Sequence, residues 1–147
     1  MNLASSEPQN AIAGLFDMKK ILVLDDEPCV RGLLGTVLPN HGYPVIEAAC
    51  AKQAVQQCAE VNGDISLLIA EVKPPCSGIP VSIQLKASIP QLKVVLMSRL
   101  PLHMWPEHYP RELQELPPDS VKILTKPFTP WDVLVAVNDL IGEAEIP

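Results

Sequence analysis

The chain has 147 residues, 48% of them apolar, which suits one domain with a core of ordinary size and leaves no room for a second, independent output domain. Its formal net charge of -6 disfavours nucleic acid and anionic membrane surfaces, since the electrostatic part of such binding needs clustered Lys and Arg. Protein partners are therefore expected. The four cysteines, Cys29, Cys50, Cys58 and Cys76, include no CxxC pair and read as reduced thiols. No apolar run reaches membrane-spanning length and the N-terminus lacks signal-peptide character, so a cytoplasmic protein is expected.

In chain order, residues 1–17 are polar and aperiodic and read as a disordered extension. Residues 18–143 then alternate between two patterns. KILVL is a short apolar run, and PCVRGLLGTVLPNHG places Val30, Leu33, Leu34, Val37 and Leu38 on one helical face, closed by Asn40 and Gly42. YPVIEA precedes the helical AKQAVQQCAE, ISLLIA precedes a helix near IPVSIQLKASI, and VKIL precedes TPWDVLVAVNDLIG. LKVVLMS leads into RLPLHMWPEHYP, whose Pro101, Pro106 and Pro110 forbid one regular helix and leave a short one near PRELQEL. Residues 144–147 form a tail. Aliphatic strands alternating with helices predict an α/β domain, a doubly wound five-stranded parallel sheet buried on both faces. Sites on such sheets form at the carboxyl ends of the strands. Those ends carry Asp25, Asp26 and Glu27, then Glu71, then Ser98, then Thr125, Lys126 and Pro127. Crowded carboxylates there need a proton, a hard cation or an ammonium, and Lys126 is the ammonium at hand.

KILVLDDEP, HGYPVIEAA, GDISLLIAEV followed by SG, LKVVLMS and ILTKPFTPWDVLVAV, in this order and spacing, resemble the receiver domains of two-component response regulators over roughly residues 19–142. The resemblance implies a flavodoxin-like sheet of order 2-1-3-4-5. It also implies phosphoryl transfer from a sensor histidine kinase, or another signalling protein as partner, with a homodimer compatible. By motif, Asp25 and Asp26 match the acidic pair that holds Mg²⁺, Ser98 the hydroxyl residue, and Lys126 the lysine, with Pro127 in the cis form. Glu27 reads instead as a dipole partner in the first helical turn, and an aspartate of the pair as its cap.

Four features depart from the family pattern. Glu71 fills the phosphoacceptor slot, unless the loop is aligned without a gap, which puts Ala70 there; neither is the expected aspartate. With Glu71 in the slot, the loop KPPCSG is one residue short, which puts the Mg²⁺ site of Asp25, Asp26 and Glu71 in doubt. Arg99 stands where receivers carry a small residue, and either pairs with Glu71 or Asp26 to close the entrance as a gate, or points into solvent. Ile123 takes the switch position of an aromatic residue and is expected to be buried.

Elsewhere, Leu102, Met104, Trp105 and Tyr109 read either as an exposed apolar surface or, for Trp105, as a fold-back contact. Trp131 is expected to pack the last helix onto the sheet, Cys76 to be inert, and the three histidines not to bind zinc. These features lead to a degenerate, non-enzymatic pseudo-receiver that acts through protein contacts. The alternatives are a phosphorylatable receiver with a rearranged Mg²⁺ site and, more remotely, a flavin- or nucleotide-binding protein. The last lacks a Gly-rich phosphate loop after the first strand.

Overall fold

A computed structural model describes residues 18–73 and 77–144. The expected extension at 1–17, Cys76 with most of the shortened loop, and residues 145–147 lie outside these described residues.

The elements are β1 (Ile21–Leu24), α1 (Pro28–Asn40), β2 (Val45–Ala48), α2 (Ala51–Glu60), β3 (Leu67–Glu71), α3 (Gly78–Ser88), β4 (Lys93–Ser98), α4 (His108–Leu113), β5 (Val121–Thr125) and α5 (Pro130–Ile141). Short 3-10 turns at Leu102–Met104 and Pro118–Ser120 flank α4. All strand pairs are parallel, in the order β2-β1-β3-β4-β5. The five-strand, doubly wound expectation is met.

Burial on both faces holds only for the middle of the sheet. β1 and β3 are fully buried and β4 nearly so, whereas β2 and β5 are half-exposed because they are the sheet edges. One core layer joins Leu22, Leu68, Ala70 and Leu96 to Ala54 and Cys58 of α2, Ile79, Val81 and Leu85 of α3, and Tyr109 of α4. The other joins Ile21, Val23, Ile69 and Met97 to Leu34 and Leu38 of α1 and Val133 and Val137 of α5. Only Leu34 and Leu38 of the five expected α1 positions are fully buried; Leu33 is 41% exposed at the edge of the stripe. Gly42 follows α1 at φ 89°, a backbone angle that L side chains rarely adopt.

The expectation for Trp131 needs correction, whereas of the two readings of Trp105 the fold-back contact is the one observed. Trp131 is 72% exposed, because the face of α5 that packs on the core is made by Val133, Ala136 and Val137 and Trp131 lies off it. The first turn of α5 is instead fixed by a capping box, in which Thr129 Oγ1 accepts from the Asp132 amide and the Asp132 carboxylate accepts from the Thr129 amide. Trp105 and Tyr109 are buried, with rings 6.2 Å apart edge to face, while Leu102 and Met104 remain exposed. Ile123 is not buried either. It lies on edge strand β5, 36% exposed, in an apolar groove of about 420 Å³ with Leu102, Leu113, Leu116 and Val121.

Candidate functional site

Strand order reverses between β1 and β3, so the turns after these two strands open onto a common crevice. Register decides what meets there. Leu24 pairs with Ala70, which places the next residues, Asp25 and Glu71, at one level; Thr125 pairs with Ser98, so Lys126 leaves β5 just beyond them. Ala70 faces the opposite core layer, so Glu71 and not Ala70 turns toward the cluster. α3 can approach this point because its first residue is glycine. A Cβ on Gly78 would stand 2.7 Å from Ala70 Cβ and 2.7 Å from the Glu71 carbonyl oxygen.

The centre of the cluster is Lys126. Its Nζ donates to Asp25 Oδ2 at 3.0 Å, Glu27 Oε1 at 3.0 Å and Glu71 Oε2 at 2.9 Å. The Lys126, Asp25 and Glu71 side chains are 7%, 0% and 8% exposed. Burial alone would lower the Lys126 pKa, but the hydrogen bonds to the three carboxylates outweigh it and hold the ammonium above its ordinary value. Burial raises the Glu71 pKa, Asp25 raises it further, and Lys126 only partly opposes them. The Lys126–Pro127 peptide is cis, as the resemblance implies.

Asp25 also serves the backbone. Its Oδ1 accepts the Glu27 amide at 2.8 Å, a local turn bond, and its carbonyl accepts from Arg31 Nη1 at 2.7 Å. Asp26 stands apart from Lys126. Its side chain is 56% exposed and pairs with Lys73 Nζ at 3.2 Å. That ammonium holds the Asp26 carboxyl below the usual range, and Asp26 in turn raises Lys73.

Glu27 is the residue the motif reading missed. It sits at the N-cap of α1 but makes no side-chain cap bond there. Its two oxygens bridge Lys126 and Arg99, the latter at 2.8 Å, and both cations hold its pKa down. A signal was present in DDEP, because Glu is a poor N-cap compared with Asp, Ser or Asn, which leaves its longer side chain free. Arg99 accordingly pairs with Glu27 and with neither Glu71 nor Asp26, and its side chain is 66% exposed.

Ser98 ends β4 next to the cluster, but its hydroxyl faces away. Oγ donates to the Leu100 carbonyl at 2.9 Å and accepts from the Leu100 amide at 3.0 Å and Trp105 Nε1 at 3.1 Å. The buried indole thereby holds the turn after β4.

Asp25, Asp26, Glu27 and Glu71 each offer an oxygen within 4.8 Å of the others. These are the hard donors a Mg²⁺ ion takes, and the set fits it in chemistry. Beside them lies a pocket of about 350 Å³ lined by Asp25, Asp26, Glu71, Lys73, Cys50 and Ser77.

No family model matches the chain. It is 30% identical to the alkaline phosphatase synthesis transcriptional regulatory protein PhoP of Bacillus subtilis, over 87% of this chain and 50% of that protein. The chain thus spans about half the length of the curated relatives at the head of the comparison. It is 24% identical to the chemotaxis protein CheY of Thermotoga maritima, over 82% of this chain and 95% of that one. A response regulator receiver domain protein of Clostridium thermocellum superposes with a TM-score of 0.69 at 25% identity, covering 84% of this chain and 94% of that structure.

The chain is a response-regulator receiver domain. Its 2-1-3-4-5 sheet is that of the receiver fold, and its cluster lies where the strand order reverses. Among the described residues of this receiver, no helix is long and apolar enough to cross a membrane.

Proposed function

We propose that this receiver works without a phosphorylation cycle, holding one conformation that a signalling partner recognises, with Glu71 in the position of the phosphoacceptor aspartate. The observation that carries this reading is the buried Lys126–Glu71 contact of 2.9 Å. A glutamate carboxylate reaches about 1.5 Å further from the backbone than an aspartate carboxylate. It thereby fills the space in which a phosphoryl group would be built, and places its own charge against the lysine. The Ser98 hydroxyl, committed to Leu100 and Trp105, and the Glu27–Arg99 pair at the outer edge both favour a fixed arrangement over a switching one.

In this reading the domain catalyses no reaction of its own. Asp25, Asp26 and Glu71 would be the ligands of any Mg²⁺, which in receivers supports phosphoryl transfer to the acceptor. Lys126, Ser98, Arg99 and Ile123 keep the positions of partner lysine, hydroxyl, gate and switch. The partner is a sensor histidine kinase or another protein of the same signalling chain, in the cytoplasm. The acidic balance of the chain argues against a nucleic-acid partner for this domain.

The test is intact-mass measurement after incubation with acetyl phosphate and Mg²⁺. The expected result is no phosphoryl adduct on the wild-type protein. An adduct that Glu71→Gln abolishes would overturn the proposal.

A further inference from the structure

The acidic cluster holds four carboxylates, and three cations already answer them: Lys126, Arg99 and Lys73. They differ in depth. Lys126 is buried at the centre and Arg99 holds the outer oxygen of Glu27, whereas Lys73 stands on the pocket wall with its side chain 51% exposed. Asp25 has both carboxylate oxygens engaged, by Lys126 and by the Glu27 amide, and Glu71 is buried against Lys126. Asp26 is the carboxylate of the four that Lys126 does not touch and the one most open to solvent. A cation entering from solvent must recruit it first, and Lys73 is already bound to it.

We propose that Lys73 is a tethered competitor of the divalent cation, an ammonium on the β3–α3 connection that occupies Asp26 and keeps Mg²⁺ out of the pocket. The proposal rests on the receiver reading of this pocket. Mg²⁺ asks for oxygens about 2.1 Å away in near-octahedral array and sheds its water reluctantly, so an ammonium spread over both Asp26 oxygens competes with it for that carboxylate. Displacing Lys73 costs its ion pair. Leaving it in place sets a unit charge a few ångströms from a dication, and like charges at that distance repel even when water screens them. Lys73 needs no burial to act, only its placement on Asp26.

The experiment is a calorimetric titration of the whole chain with MgCl₂. Lys73→Gln is expected to bind Mg²⁺ about tenfold tighter than wild type or better. Lys73→Arg keeps the charge and should stay with wild type. Lys93→Gln removes a lysine at the opposite end of β4 and controls for the general charge change. Adding Asp26→Asn to Lys73→Gln should abolish the gain. Lys73 is exposed, so the single variants are expected to fold, and circular dichroism verifies it. A Lys73→Gln protein indistinguishable from wild type, or a Lys93→Gln protein that gains as much, overturns the proposal. Phosphoryl uptake is read separately by mass, so a failed titration leaves the Glu71 reading standing, and a mass adduct leaves the competitor role of Lys73 standing.

Discussion

Lys126 Nζ lies 2.9 Å from Glu71 Oε2, with 7% and 8% of the two side chains exposed, although the residues are 55 positions apart in sequence. The pair joins the ends of β3 and β5 and is the most enclosed charge contact of the site together with Asp25. Removing the ammonium leaves two buried carboxylates facing each other. Lys126→Met is therefore expected to destabilise the protein by about 3 kcal/mol at pH 7. Adding Glu71→Gln should recover part of that loss. Urea denaturation of the two single variants and the double variant measures the coupling, and strict additivity would mean that the residues do not share a pocket.

Glu71 also sets a pH dependence. Its folded-state pKa is raised above the ordinary 4.5 by burial, so the folded protein holds this proton more tightly than the unfolded chain. Its contribution to stability is present below pH 4.5 and is lost as pH rises through the raised value. Glu71→Gln mimics the protonated form at every pH. The melting temperature of Glu71→Gln relative to wild type should thus increase from pH 4 to pH 7, and a constant difference across that range would refute the assignment.

Trp105 and Trp131 make opposite predictions. Trp105 is 7% exposed and its indole N–H serves both Ser98 Oγ and the Leu100 carbonyl, so Trp105→Phe should cost about 1–2 kcal/mol. Trp131 is 72% exposed, and Trp131→Phe should change stability by no more than about 0.5 kcal/mol. In the Trp131→Phe protein the remaining fluorescence should be blue-shifted and shielded from iodide. Strong quenching there would place Trp105 in solvent.

Gly78 tests the approach of α3 to the site, and Gly32 in α1 serves as its unhindered counterpart. Nothing lies within 4 Å of a Cβ at Gly32 in α1, and Gly32→Ala should stabilise the helix by about 0.5–1 kcal/mol. At Gly78 the added methyl meets Ala70 and the Glu71 backbone at 2.7 Å, and Gly78→Ala should cost about 1–3 kcal/mol as α3 is pushed from β3. Thermal melts of the two variants should move in opposite directions.

The sheet and much of the site were legible from local pattern. Runs such as ILVL and LLIA can be satisfied only with both faces covered, and alternation with helical spacing then requires a doubly wound parallel sheet. Acidic and basic residues directly after those runs necessarily come together at one end of it, which is why Asp25, Glu71 and Lys126 were legible from their positions alone. Tertiary structure decided which charge answers which. Glu27 and Asp26 are neighbours in the chain, yet one turns inward to Lys126 and Arg99 and the other outward to Lys73, a partition set by the α1 start and the β3–α3 connection. The same holds for Ser98, Trp105, Trp131 and Ile123. Periodicity tells which residues are apolar or polar, but not whether a strand becomes a sheet edge, whether the first turn of a helix leaves a tryptophan exposed, or whether a Pro-rich turn folds an indole back onto a hydroxyl. Those outcomes depend on contacts between elements distant in sequence, and local pattern carries no information about them.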